Sequence, residues 1–105
     1  MSNQLTFNQV VEKHSKTLDL YVPIVARVHG GTHPEFHKVH ALFDVMNGKI
    51  KEAGSNKPEL KKLELDKEFA GLREITKDYT VPEDVCESYE AVYNMLAEID
   101  KAYYA

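Results

Sequence analysis

An all-α fold, an up-down-up-down antiparallel four-helix bundle, is predicted by three observations. Helix-start signatures recur at even spacing, apolar residues step alternately by four and three behind them, and the 105 residues include only five Gly and four Pro. With 43% hydrophobic and 29% charged residues, the composition is that of a compact helical domain rather than a disordered chain. No low-complexity tract or linker divides it, so residues 1–105 are expected to form a single four-helix domain with its own core.

The first start signature is Thr6-Phe7-Asn8-Gln9, spaced as a capping box, with Leu5 and Val10 placed as a hydrophobic staple. The same device recurs with proline added at Thr32-His33-Pro34-Glu35, Asn56-Lys57-Pro58-Glu59 and Thr80-Val81-Pro82-Glu83. Proline suits a first turn because the N–H it lacks would have had no partner inside the helix. Four starts about 24 to 26 residues apart predict four helices.

The apolar spacing agrees. In the first segment Phe7, Val11, His14, Leu18, Tyr21, Val25 and Val28 form a seam, with Pro23 inside it. The second segment buries Phe36, Val39, Phe43, Met46 and Ile50 and is expected to end on a left-handed cap at Gly54. In the third, Leu60, Leu63 and Leu65 compete for the inward face before Phe69, Leu72, Ile75 and Tyr79 settle it. In the last, Val85, Tyr89, Val92, Leu96, Ile99 and Tyr103 repeat the step most regularly. Connections of a few residues between such helices give the up-down arrangement.

Charge and composition narrow the function. A net charge of −4 and a pI near 5.7 leave no basic field for phosphates, so nucleic acid is not expected as a partner. No stretch approaches the roughly 20 apolar residues that span a bilayer, and Met1-Ser2-Asn3-Gln4 begins no secretory signal. The single Cys86, which lies between Asp84 and Glu87 and reads as a structural thiol, excludes an internal disulfide framework. Cytoplasmic localisation is the expectation.

Chemistry, if present, lies with the histidines. His33, His37, His40 and Asp44 are spaced four, three and four apart along one strip of the second helix, and His29 sits beside them at the end of the first. Imidazoles at such spacing can share an iron, zinc or copper ion; the competing reading is a solvated polar face. His14 lies inside the first seam and faces a similar choice between a core histidine paired with a carboxylate, near the level of Glu64, Glu68, Tyr93 or Glu98, and a metal ligand. No phosphate-binding glycine loop, nucleophile elbow or zincin motif occurs, and no catalytic residue is indicated.

Tyr21-Val22-Pro23-Ile24-Val25-Ala26-Arg27-Val28-His29-Gly30-Gly31-Thr32-His33-Pro34-Glu35 and Tyr79-Thr80-Val81-Pro82-Glu83-Asp84-Val85-Cys86 resemble the iron-sulfur cluster repair di-iron proteins of the Ric type. The resemblance implies a hemerythrin-like bundle in which histidines and glutamates from all four helices hold a carboxylate-bridged pair of irons. It also implies a role in restoring clusters damaged by nitric oxide or oxidants. Onto this chain it carries His29 as a ligand, and His14 at a shorter spacing. Two elements depart from it: Lys49-Ile50-Lys51-Glu52-Ala53-Gly54 replaces the family's His-His-x-x-x-Glu-Glu element, and the sequence ends at Tyr103-Tyr104-Ala105 where the family continues into further ligands. The resemblance therefore implies a shortened relative with a reduced or absent metal site and with damaged iron-sulfur proteins as partners; with the spaced histidines of the second helix added, the candidate ligands are His14, His29, His33, His37 and His40. The alternative is a metal-free helical-bundle interaction module, in either case with a homodimer as a candidate assembly.

Overall fold

The computed structural model describes residues 7–54, 65–83 and 85–104. The chain forms a four-helix bundle: α1 (Phe7–His29), α2 (Glu35–Gly54), α3 (Asp66–Thr76) and α4 (Glu87–Tyr103), with no strand among the described residues. None of the described helices is long and apolar enough to cross a membrane. The signatures at Thr6 and at Asn56-Lys57-Pro58-Glu59 lie outside the described residues.

Side chains from all four helices meet in one core. Fully buried members include Leu18, Val22 and Val25 of α1, Phe36 and Val39 of α2, Phe69 and Leu72 of α3, and Tyr89, Val92, Tyr93 and Leu96 of α4. Among the described residues the predicted seams are recovered except at the end of α1, where Val28 is 62% exposed and Val22 takes an inward position; Leu60 and Leu63 lie outside the described residues. A strict four-three step averages 3.5 residues per turn, against 3.6 in a straight helix, so the predicted seam drifts around α1. Proline at 23 lies on the exposed side and α1 continues through it. Gly54 remains within α2, and no described glycine has positive φ.

Ring and polar contacts tie the helices together in pairs. Phe7 of α1 meets Tyr103 of α4 edge-on at 5.4 Å. Further along α1, Asn47 of α2 donates to Asp19 at 2.7 Å. Lys49 of α2 donates to the buried Glu68 of α3 at 2.9 Å. Burial opposes ionisation of Glu68, but the Lys49 bond and nearby positive charge outweigh it and hold the carboxyl below its usual value.

The largest departure from sequence expectation is the start of α4, which begins at Glu87 rather than at Thr80-Val81-Pro82-Glu83. Lys77, Asp78 and Tyr79 all lie in the left-handed region, at φ 54°, 60° and 62°, turning the chain away from α3. Thr76 stabilises this turn: its hydroxyl donates to the Leu72 carbonyl at 2.6 Å and accepts from the Tyr79 N–H at 2.8 Å. The Thr80 hydroxyl bonds backward to the Lys77 carbonyl at 2.6 Å and so is not available as a forward cap.

The turn aims the Tyr79 hydroxyl at the buried Asp100 carboxylate, 2.7 Å away, where Arg73 also donates through Nε at 2.9 Å and through its terminal nitrogen at 2.5 Å. Burial, followed by the bond to Asp100, pushes the Tyr79 phenol well above its usual value of 10.0. A folded-state pKa above the unfolded one means a contribution that is intact below the unfolded value and is lost as pH rises past it. The urea midpoint is therefore expected to fall between about pH 9 and about pH 11, and to fall less in Tyr79→Phe. Equal falls in the two proteins contradict this assignment.

Candidate functional site

The end of α1, the turn after it, the start of α2 and the first turns of α4 converge on one corner of the bundle. The Gly30 N–H continues the helical ladder to Ala26 at 2.9 Å, and the His33 N–H returns to the His29 carbonyl at 2.7 Å. The Thr32 hydroxyl also points back to that carbonyl, at 3.4 Å, instead of capping α2. This folding-back places the His33 ring 6.4 Å from the His29 ring.

Both imidazoles pack edge-on against Tyr89, each with ring centres 5.4 Å from it. His29 Nε2 lies 3.1 Å from the Cys86 thiol, and His33 Nδ1 lies 3.2 Å from Glu35. The Tyr89 hydroxyl donates to the same Glu35 oxygen at 3.4 Å and lies 3.2 Å from the Tyr93 hydroxyl. Burial, then the bond with Tyr93, raises the Tyr89 phenol far above its ordinary value, so it serves as a neutral donor here. The corner thus holds a thiol, two imidazoles, a carboxylate and two neutral phenols.

The remaining histidines are distributed differently. His37 is exposed and lies over Gly30, and His40 sits one turn further along α2 with Nε2 3.4 Å from Asp44. His14 is paired with Glu98 of α4, and that bond holds the Glu98 carboxyl below its usual value. Of the residues singled out in the sequence, the structure brings His29, His33 and His37 to one corner and places His14 and His40 elsewhere. Sequence reasoning missed Cys86, Glu35 and Tyr89 as members of this corner. Cys86 is exposed at the position before α4, and the partner that gives it meaning lies 57 residues away.

An open cleft of about 410 Å³ adjoins the corner, lined by Glu35, Ile75, Thr76, Lys77, Thr80, Pro82 and Tyr93. Its walls combine one carboxylate, one ammonium, hydroxyls and apolar surface, and its size is that of a small-molecule site.

The chain matches no protein-family model and no solved structure.

The described residues do not fit a carboxylate-bridged pair of irons. His14 and His29 are separated by roughly 22 Å along an unbroken helix, at 1.5 Å per residue. The inward positions between them are Leu18, Val22 and Val25, all buried in apolar packing. The buried carboxylates Glu68 and Asp100 are bonded to Lys49 and Arg73 instead of facing those histidines. Among the described residues, no group of three or more His, Cys, Asp or Glu side chains is arranged to hold a metal ion.

Proposed function

We propose that this protein is a cytoplasmic, hemerythrin-like bundle of the Ric type that keeps the scaffold and acts as an interaction module at damaged iron-sulfur proteins, with its metal site reduced or absent. The observation that supports a reduced site is that Leu18, Val22 and Val25, the inward positions of α1 between His14 and His29, are buried in apolar packing. The up-down-up-down arrangement is part of the same proposal, supported by the order in which Phe7, His14 and His29 of α1 meet Tyr103, Glu98 and Cys86. Leu20, Ile24 and Val28 form an exposed apolar row at steps of four along α1 and offer the module a contact face for a partner or a second copy.

Iron content tests the metal half of the reading. Protein purified anaerobically and reconstituted with ferrous iron is expected to retain less than about one tenth of an equivalent. Near-stoichiometric iron that disappears in a His29→Ala, His37→Ala double variant contradicts the expectation and restores a histidine metal site. Binding to an immobilised iron-sulfur dehydratase, before and after treatment with nitric oxide, tests the other half. Selective binding to the damaged enzyme that Ile24→Lys abolishes is expected, whereas equal or absent binding to both forms contradicts the role.

A further inference from the structure

We propose that the cleft lined by Glu35 and Lys77 binds a small apolar zwitterion, a free amino acid or a dipeptide, with the ligand's ammonium at Glu35 and its carboxylate at Lys77. Neither a metal nor the family resemblance is needed for it. Its first support is a pair of opposite charges that line one cleft without pairing. Glu35 Oε2 is engaged by His33 Nδ1 at 3.2 Å and by the Tyr89 hydroxyl at 3.4 Å. Glu35 Oε1 has no partner among the described residues, and neither has the Lys77 ammonium. A wall that keeps a carboxylate and an ammonium apart complements a ligand carrying both charges itself, since each end then gains a charge-assisted hydrogen bond.

The two charges are positioned by separate devices. The buried Tyr89 of α4 holds Glu35 from one side, independently of anything in the cleft. Lys77 is set by the turn after α3, where Lys77, Asp78 and Tyr79 lie at φ 54°, 60° and 62°. Residues with a β-carbon enter that region at a cost, and such strain collects at ligand sites. The Thr76 hydroxyl, accepting from the Tyr79 N–H at 2.8 Å, and Asp100, accepting from the Tyr79 hydroxyl at 2.7 Å, hold the turn in place. This rim of the cleft therefore keeps its shape with no ligand bound.

Between the charges the lining is apolar. Ile75, Pro82 and Tyr93 contribute to it, and the Tyr93 hydroxyl lies 3.2 Å from that of Tyr89. Burial raises the Tyr93 phenol above its usual value, so it adds no charge of its own. A volume of about 410 Å³ is near the small end of ligand sites and suits one or two residues with apolar side chains.

The experiment is calorimetric titration of the full chain at neutral pH with leucine and with leucyl-leucine. At least one is expected to bind with a dissociation constant below about 1 mM, and the tighter of the two tells whether the cleft takes free amino acids or dipeptides. The N-acetyl and amide forms of that ligand lack its ammonium and its carboxylate respectively. Each is expected to bind at least about tenfold more weakly than the unblocked ligand. In Glu35→Gln the N-acetyl form is expected to bind as well as the unblocked ligand, and in Lys77→Met the amide form is, because the charge each lacks has lost its partner. The blocked ligands need no variant and remain decisive if Glu35→Gln folds poorly. No binding of either ligand at about 1 mM, blocked forms that bind wild type as tightly as the unblocked ligand, or folded Glu35→Gln and Lys77→Met proteins with wild-type affinity overturn the proposal.

Discussion

Gly30→Ala is expected to destabilise the protein by about 2–3 kcal/mol, lowering the midpoint of thermal unfolding by roughly 10–20 °C. Gly31→Ala, one residue on, is expected to stay within about 0.5 kcal/mol of wild type. The difference lies in what a β-carbon would meet. At Gly30 it would overlap the Ala26 carbonyl oxygen and the His37 ring, whereas at Gly31 nothing lies within 4 Å. The His37 ring can rotate away, but the Ala26 oxygen is backbone and accepts the Gly30 N–H, so the end of α1 itself has to distort. Paired thermal and urea melts of the two variants check this, and equal stabilities contradict it.

Arg73→Ala is expected to lower stability by about 2–3 kcal/mol. Asp100 is 5% exposed and receives Arg73 through two nitrogens, so removing the guanidinium leaves a buried carboxylate bonded to Tyr79 alone. Partial exposure of Arg73 keeps the effect below that of a fully buried pair, because water reaches the site left behind. The double variant Arg73→Met, Asp100→Leu removes both charges and is expected to recover at least half of the loss. A double variant less stable than Arg73→Ala contradicts the view that the isolated carboxylate is the source of the cost.

The helices were legible in the sequence because capping residues and apolar spacing are local signals. Phe36, Val39, Phe43 and Met46 of α2 and Tyr89, Val92, Leu96 and Ile99 of α4 are buried as their spacing predicts. The start of α4 was misread because Thr80-Val81-Pro82-Glu83 carries a genuine cap pattern, while three left-handed residues before it and the demands of Asp100 hold that stretch as a loop. Local preference lost to a tertiary contact.

The corner was legible only in part. The reversal at Gly30-Gly31 and the gathering of His29, His33 and His37 follow from adjacency in the chain. The pairs that define its chemistry do not. His29 meets Cys86 across 57 residues and Glu35 meets Tyr89 across 54, set by how α1, α2 and α4 pack. The partner of His14 was among the four residues that its level on the seam selects, and Glu98 is the one it takes.

Under the proposed function the bundle stands on its own side chains, without the two-iron cage of the family it resembles. Thermal unfolding under anaerobic conditions, with chelator and then with excess ferrous iron, tests it most directly. A ligand that binds only the folded state at about a hundred times its dissociation constant adds about 2.7 kcal/mol, which would raise the midpoint of a domain this size by roughly 10 °C. Midpoints that agree within about one degree are expected. A rise of several degrees with iron, abolished by His29→Ala, would contradict it.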